Sequence, residues 1–510
     1  MKYPGSGKFA LLFSLFLFFA LQCFGDSHVR IVRLSGVEGP VQVDRNAGQG
    51  FETALLNLPM TQGVKLRTQH DARAEVEFED GATLRLGSDT TIRFDQLSLS
   101  DNGIKNSVVA VESGVVYVNY PAKADSSFTL NFAHQTVNLN ERVHLRLQMD
   151  REEAALAVFS GEAHIQTISG AAPGSEDILV KKNQTADFNL QSAEKYQLVK
   201  DVEPDVFDDW DKSQEKYHDR YMASASYQNN SSYSYGWSDL NYYGTYMTMP
   251  GYGVVWQPYL AGADWNPFMN GGWAWYPGIG YSWVSAYPWG WMPYYYGSWA
   301  YMDSVGWFWS PGGIGQDWSP APVVVNAPPT FKMPRPPSKP PVIGGGRTMF
   351  VVNRRPMPVM RSPNKVVLRS GSAGLGVPRG SIHNWNKITA QVQRNGVVTT
   401  KIHSNPMPAM FAPATANSPV SAASRGAMPR GAATHGTNAH SFPSSAASRG
   451  PSMSGGAASA NRGSMGGSPA RSPSMGAPPM HAPSMSGPPM SAPSAHAPSM
   501  PAPSRGSARH

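Results

Sequence analysis

Between residues 29 and 190 the apolar positions recur with period two, the spacing of β-strands with one buried face. Val29, Ile31 and Leu34 begin the pattern, and Val41 and Val43 continue it. The stretch Ala74–Phe94 is the most informative. Ala74, Val76 and Phe78 fall on one face; Glu75, Glu77 and Glu79 fall on the other. A two-residue loop at Asp80-Gly81 would set Arg85 against Val76 on the apolar face. A three-residue loop, Glu79-Asp80-Gly81, instead pairs Phe78 with Ala82, Val76 with Leu84 and Ala74 with Leu86, with Glu75 across from Arg85. Register follows the buried face, so the three-residue loop with a bulge at Gly81 is expected. Val111–Val118 and Val158–Ile165 each read as strand, Ser-Gly turn, strand. Val108–Val118 is apolar on both faces, as in a central strand. Together these predict a mainly β region, an antiparallel sandwich or a solenoid-like fold.

The period then changes. Glu203-Pro204-Asp205 is a helix-start signal, and Phe207, Trp210, Gln214, Tyr217 and Tyr221 follow at three- and four-residue spacing. They predict a helix over about 205–222 with an aromatic stripe that packs on a neighbouring domain. Asp208, Asp209 and Asp211 sit where the helix dipole favours anions.

Residues 236–318 hold twelve Trp, twelve Tyr and no Lys or Arg, so the block must build its core from rings. Trp-x-Pro recurs at Trp256, Trp265, Trp275, Trp291, Trp309 and Trp318. Frequent Gly and Pro exclude long helices and predict short antiparallel strands with aromatic layers between them. Gly272–Gly278 and Gly306–Gly312 read as two copies of one structural unit. Rings left exposed between them are the candidate ligand-binding residues: Trp283, Trp289, Trp291 and Trp299. Asp239, Asp264, Asp303 and Asp317 are scattered among the rings, placed to bond sugar hydroxyls or to cap turns.

Charge divides the chain further. From Pro320 onward there are 20 Lys or Arg and no acid, which leaves 22 basic against 35 acidic residues before it. The pI near 9.2 therefore describes a basic arm on an acidic body. Val323–Val325, Met349–Val352, Lys365–Leu368 and Ile388–Lys401 are expected as short strands or docked segments. Asn395-Gly396 is a turn signal and Val397–Thr400 the most strand-like piece. After Ser404, Pro, Ser, Ala, Met and Gly repeats predict disorder. At the other end, Lys2 and Lys8 precede the apolar run Phe9–Leu21, the layout of an export signal, with cleavage after Gly25. Lipid attachment at Cys23, the only cysteine, is the rival, but Gln22 replaces the usual small residue. Either route leaves no free thiol and no disulfide. The expected organisation is a signal peptide (1–25), a β domain (26–190), an acidic connector (191–235), an aromatic domain (236–318), a Pro-rich basic linker (319–403) and a low-complexity tail (404–510).

Gly63–Thr68, then Ala74–Leu86 with its Asp80-Gly81 bulge, then Thr90 and Ile92, resemble the FecR-type domain, and the Ser113-Gly114 and Ser160-Gly161 hairpins match its later repeats. The resemblance covers residues 29–190. FecR regulators sense a signal outside the inner membrane and act through a cytoplasmic segment and a membrane span, neither of which is read here. The Gly-Thr common before the late hairpin is replaced by Leu139–Val143. The resemblance thus implies a periplasmic or extracellular β module, not sigma-factor control. Gly251–Pro258, Trp265, Gly272-Trp273, Trp283, Pro288–Trp291 and Tyr296–Trp299 resemble an uncharacterised bacterial Trp/Tyr-Gly repeat family, over residues 205–315.

No His-Glu-x-x-His, Gly-x-Ser-x-Gly or phosphate loop is present, and the 13 His do not cluster at ligand spacing. No catalytic, cofactor-binding or metal-binding residue is expected. His70-Asp71 reads as a turn; His134, His144 and His164 read as strand residues with exposed or satisfied side chains. Met453–Met500 is read as filler and not as a copper site. The leading expectation is an exported, non-enzymatic envelope protein that binds or scaffolds. Signal sensing by the FecR-like domain and glycan binding by the aromatic block are the alternatives. The expected partners are an anionic envelope polymer for the basic tail and an envelope protein for the FecR-like domain, with no nucleic acid and no membrane span after signal cleavage.

Overall fold

The computed structural model describes residues 30–167, 177–191, 195–222, 234–312, 318–342, 347–351 and 365–402. The segment expected as an export signal, Cys23, Asp317 and the low-complexity tail lie outside the described residues.

The chain is mainly β, as the alternation predicts, with four helices among the described residues. Residues 30–199 form two stacked layers. The first runs Pro59–Met60, Val32–Glu38, Arg73–Glu77, Thr83–Leu86, the far half of Lys105–Tyr120, Val143–Met149, Glu153–Ser160, Gln184–Asn189 and Tyr196–Val199, antiparallel throughout. The second runs Glu52–Thr53, Val41–Asp44, Lys65–Thr68, Thr91–Leu99, the near half of Lys105–Tyr120, Ser126–Phe132, Gln135–Leu139, Glu162–Thr167 and Asp177–Lys181. Its one parallel contact joins Lys105–Tyr120 to Ser126–Phe132. Val76, Leu84, Val118 and Leu145 of the first layer share a core with Phe94, Val109, Leu130 and Ile165 of the second.

The hairpin register is the expected one: Ala74 pairs with Leu86, Glu75 with Arg85 and Val76 with Leu84. Phe78 N–H donates to Ala82 O, and Gly81 is left-handed at φ 91°. The Ser-Gly devices are different from the expectation. Lys105–Tyr120 is one 16-residue strand that runs straight through Ser113-Gly114. Its near half pairs in the second layer and its far half in the first. At Ser160-Gly161 the chain likewise leaves the first layer for the second, and the flanking strands do not pair with each other. Both are corners, not hairpins. Gly114 and Gly161 have φ of 96° and 77°, and a Cβ would lie 2.4 Å from Thr90 Cα and 2.1 Å from Arg142 O. Positive φ and a backbone in contact both demand glycine there.

Helix α1 (Asp208–Met222) falls where the aromatic period places it. Its start is a reciprocal cap: Asp205 Oδ1 accepts from Phe207 N–H, and Asp208 Oδ2 accepts from Asp205 N–H. Helix α2 (Trp237–Tyr243) leads into the aromatic block. Gly244–Met249, Gly253–Pro258, Gly306–Ser310 and Ser298–Met302 form one sheet of the block. Gly271–Tyr276, Gly280–Ser285 and Met349–Val351 form another. Gly272–Gly278 opens a hairpin, whereas Gly306–Gly312 closes one, so the two copies are strands used in opposite positions. A one-turn helix, α3 (Met292–Tyr295), separates them.

The expectation of exposed rings is corrected. Trp283, Trp289, Trp291 and Trp299 are each 0% exposed. Ten of the twelve Trp in the block are buried, and the rings left partly exposed are Trp275, Trp318, Tyr246, Tyr252, Tyr259, Tyr281 and Tyr301. Rings make up most of the block's core, with Leu240, Leu260 and Met292 among them. Trp289 packs against Trp256, Tyr287 and Trp299, with centroids 4.9, 4.9 and 6.0 Å away.

The segment beyond the block also contributes. Lys365–Arg369 pairs with Val397–Lys401, and Val324 bridges to Trp299. Residues 385–395 form helix α4 (Trp385–Asn395), although the expectation from Ile388 onward is a short strand or a docked segment. Its Trp385, Ile388 and Val392 recur at helical spacing and are buried in the aromatic core. Trp289 Nε1 donates to Ala373 O (2.7 Å), which ties this segment down. Among the described residues no helix is long and apolar enough to cross a membrane.

Candidate functional site

The first layer has one apolar face, in the sandwich core. Its other face is polar, yet it is not solvated. Arg33, Glu75, Glu77, Arg85, Tyr117, His144 and Arg146 project from it and are all buried. Helix α1, the start of the aromatic block and Arg379 cover them.

Glu75 is the hub. Its Oε2 accepts from Arg85 Nε (2.8 Å), and its Oε1 accepts from Ser35 Oγ (2.8 Å) and meets His218 Nε2 (3.1 Å). Arg379 Nη1 also donates to Oε1. Glu77 Oε2 accepts from Gly236 N–H (2.8 Å), and its Oε1 lies 3.1 Å from Arg379 Nη2. Asp239 is held by Arg33 Nη1 (2.7 Å), by Arg379 Nε and Nη2 (2.9 and 2.8 Å) and by Tyr217 Oη (2.8 Å). Four stretches far apart in sequence thus meet in one network: residues 33–85, α1, α2 and Arg379. The earlier expectation for Asp239, a sugar contact or turn cap, is corrected: it is 0% exposed and ion-paired, whereas Asp264 and Asp303 are exposed.

These charges hold one another ionised. Burial pushes the Glu75 carboxyl up, but His218, Arg379 and Arg85 outweigh it and hold it well below its ordinary range. Burial opposes ionisation of Asp239 too, and Arg379 and Arg33 reverse it. The Arg379 guanidinium is held well above its ordinary value: burial disfavours its charge, and Asp239, Glu75 and Glu77 more than compensate. A buried network of this kind fixes geometry more than it adds net stability.

Helix α1 reads the rest of the face with a second stripe. Tyr117 Oη donates to Asp205 Oδ1 and Asp208 Oδ1 (2.8 and 2.9 Å), and Arg146 Nη1 donates to Asp208 Oδ1 (2.7 Å). Arg85 Nη1 donates to Asp211 Oδ1 (2.6 Å), and Asn119 Nδ2 donates to Glu215 Oε1 (2.9 Å). Two groups of side chains have the composition and spacing of metal donors: Glu75, Glu77 and His218, and His144, Asp211 and Glu215. The first group already has its charge neutralised by Arg33, Arg85 and Arg379. The histidines expected on strands divide: His144 is buried at this face, His164 is half exposed beside Asp177 (2.9 Å), and His134 lies in the turn before Gln135–Leu139.

One open cleft of about 750 Å³ lies at the far end of the first layer. Gln148, Asp150, Glu153, Asp187, Lys195 and Tyr196 are among its lining. Desolvation, with Glu203 and Glu153 nearby, raises the Asp187 carboxyl above its ordinary value.

Comparison with known proteins places names on two parts of this architecture. Two crystal structures of a candidate anti-sigma factor from Parabacteroides distasonis are similar at 15% identity over 27% of this chain, with a TM-score of 0.23; the match spans 59% of that chain. No curated protein matches. Residues 64–164 match the FecR protein family, and residues 237–337 match a family of unknown function, DUF6600. The chain therefore carries a FecR-type domain followed by a domain of uncharacterised function, joined through the buried charged face.

Proposed function

We propose that this is an exported, non-enzymatic envelope protein that binds a partner through its FecR-type domain, in an extracytoplasmic sensing or regulatory role. The carrying observation is the cleft of about 750 Å³ in that domain. The polar face of the first layer is occupied from within the chain, and most of the Trp rings, the four candidates included, are committed to the block's own core. The cleft instead remains open, and its rim carries Asp150, Glu153 and Asp187 against Lys195. That balance suits a partner that presents Lys or Arg. The basic composition of residues 320–510 supports a second contact, with an anionic envelope polymer.

The test is capture of envelope-fraction proteins on the full chain, beside the double reversal Glu153→Lys and Asp187→Lys. Both positions are exposed, so the fold tolerates the change. A partner held by the native chain and lost by the reversal supports the reading. Equal capture by the two chains refutes a role for the cleft.

A further inference from the structure

Asp211 and Glu215 stand one turn apart on α1, and His144 of strand Val143–Met149 lies opposite them. His144 Nε2 is 2.8 Å from Asp211 Oδ2, and its Nδ1 is 3.7 Å from Glu215 Oε2. One nitrogen of His144 and one oxygen of each carboxylate lie within 4.8 Å of one another. Each carboxylate has its other oxygen occupied: Arg85 donates to Asp211 Oδ1 and Asn119 donates to Glu215 Oε1. Oδ2 and Oε2 are the oxygens left to face the imidazole.

The imidazole supplies the independent observation. His144 is 9% exposed, and its Nε2 is buried without a hydrogen bond despite the 2.8 Å approach of Asp211. The distance suits a hydrogen bond, so the direction does not. A buried imidazole nitrogen 2.8 Å from one carboxylate oxygen, with an oxygen of a second carboxylate inside the same 4.8 Å cluster, brings three lone-pair donors together.

We propose that His144, Asp211 and Glu215 bind a divalent transition-metal ion of the Zn²⁺ type. One imidazole and two carboxylates form a nitrogen–oxygen donor set that suits such ions. Asn119 and Arg85 orient the carboxylates as outer-shell partners do. Glu215 has a side chain 32% exposed, which provides an entry path and room for water to complete the coordination. The two carboxylate charges match the ion, and the positive charge of Arg85 is shared with Glu75 (2.8 Å). The ion would clasp the connector helix to the FecR-type sheet.

The experiment uses the full chain after treatment with a chelator, titrated with Zn²⁺ by calorimetry and with Co²⁺ by visible absorption. His residues elsewhere in the chain can also take metal, so the readout is the difference between the native chain and Glu215→Gln. That position is partly exposed, and glutamine retains an amide oxygen to accept from Asn119, so the variant keeps the fold; metal-free circular dichroism checks it. The native chain is expected to bind one more ion than Glu215→Gln, or to bind it at least about 10-fold more tightly. His144→Gln is expected to behave alike. Equal stoichiometry and affinity in native and Glu215→Gln chains, or no binding up to millimolar Zn²⁺, overturns the proposal.

Discussion

Arg379 offers the sharpest test of how the domains are joined. Its guanidinium contacts three carboxylates and its side chain is 11% exposed, although it comes from a segment 304 residues from Glu75. Arg379→Ala removes one positive charge from a face that holds Glu75, Glu77 and Asp239. Each acid keeps a partner: Arg85 for Glu75, and Arg33 for Glu77 and Asp239. Arg33, Arg85 and His218 are then left to face four carboxylates, because Arg85 also serves Asp211, and at least one buried negative charge is left uncompensated. Breaking a buried pair in this way costs about 3–5 kcal/mol, and the surviving partners place this case near 3. Arg379→Lys should fall between, because an ammonium cannot span both oxygens of Asp239 and reach the glutamates. Urea unfolding of the full chain, followed by Trp emission, measures the loss. Hydrogen exchange should locate it in residues 365–402, which Arg379 anchors. In a cycle with Asp239→Asn, the double variant should lose about 2 kcal/mol less than the sum of the singles. A loss below about 1 kcal/mol for Arg379→Ala, or additivity within about 0.5 kcal/mol, would refute the reasoning.

The same network sets a pH dependence. Glu75 and Asp239 have folded-state carboxyls below their ordinary values of 4.5 and 3.8, so their stabilisation is complete above those values and is lost as pH falls through the folded ones. Melting temperature should therefore drop steeply in acid below about pH 4.5 and less steeply in Glu75→Gln; parallel curves would contradict the assignment. Gly161→Ala should cost about 3 kcal/mol or more, since a Cβ would lie 2.1 Å from Arg142 O, whereas Gly251→Ala, at a similar φ in open space, should cost only about 1–2 in chemical denaturation. Trp emission of the full chain should be blue-shifted, weakly quenched by acrylamide and unchanged by cell-wall polysaccharides. Strong quenching by a polysaccharide would restore the glycan reading. Trp289→Ala should cost about 3–5 kcal/mol, because its ring is 0% exposed and touches Trp256, Tyr287 and Trp299.

Local pattern carried the reading as far as single elements reach. The hairpin at Glu79-Asp80-Gly81 was legible because only one register buries Val76 against Leu84. The Ser-Gly corners were not, because a left-handed glycine looks the same in a hairpin and in a strand that changes sheet; the difference lies in which strands pair afterwards, a long-range fact. Helix α4 was missed because β-branched Ile388, Thr389 and Val392 favour strands locally, and burial of Trp385 and Ile388 against the aromatic core decided otherwise.

The covered face had a sequence signal that helix-dipole reasoning concealed. Phe207, Trp210, Gln214, Tyr217 and Tyr221 share their spacing with Asp208, Asp211, Glu215 and His218, one residue further on. Dipole stabilisation accounts for acids in the first turn only. Glu215 and His218 lie beyond it, so a charged stripe that continues at helical period needs a charged surface to face. The alternating strand supplied that surface: Glu75 and Glu77 on the polar side of Arg73–Glu77, with Arg85 across from Glu75. A period-two strand normally turns its polar side to water. Here Glu75 and Glu77 are 1% and 3% exposed. Two charged stripes, one on a strand pair that mixes Glu75 and Glu77 with Arg85 and one on the next helix that mixes Asp208, Asp211 and Glu215 with His218, thus predict that the helix lies on the sheet. The balancing Arg379, from beyond the aromatic block, had no local signal because its role depends on three elements that only the fold brings together.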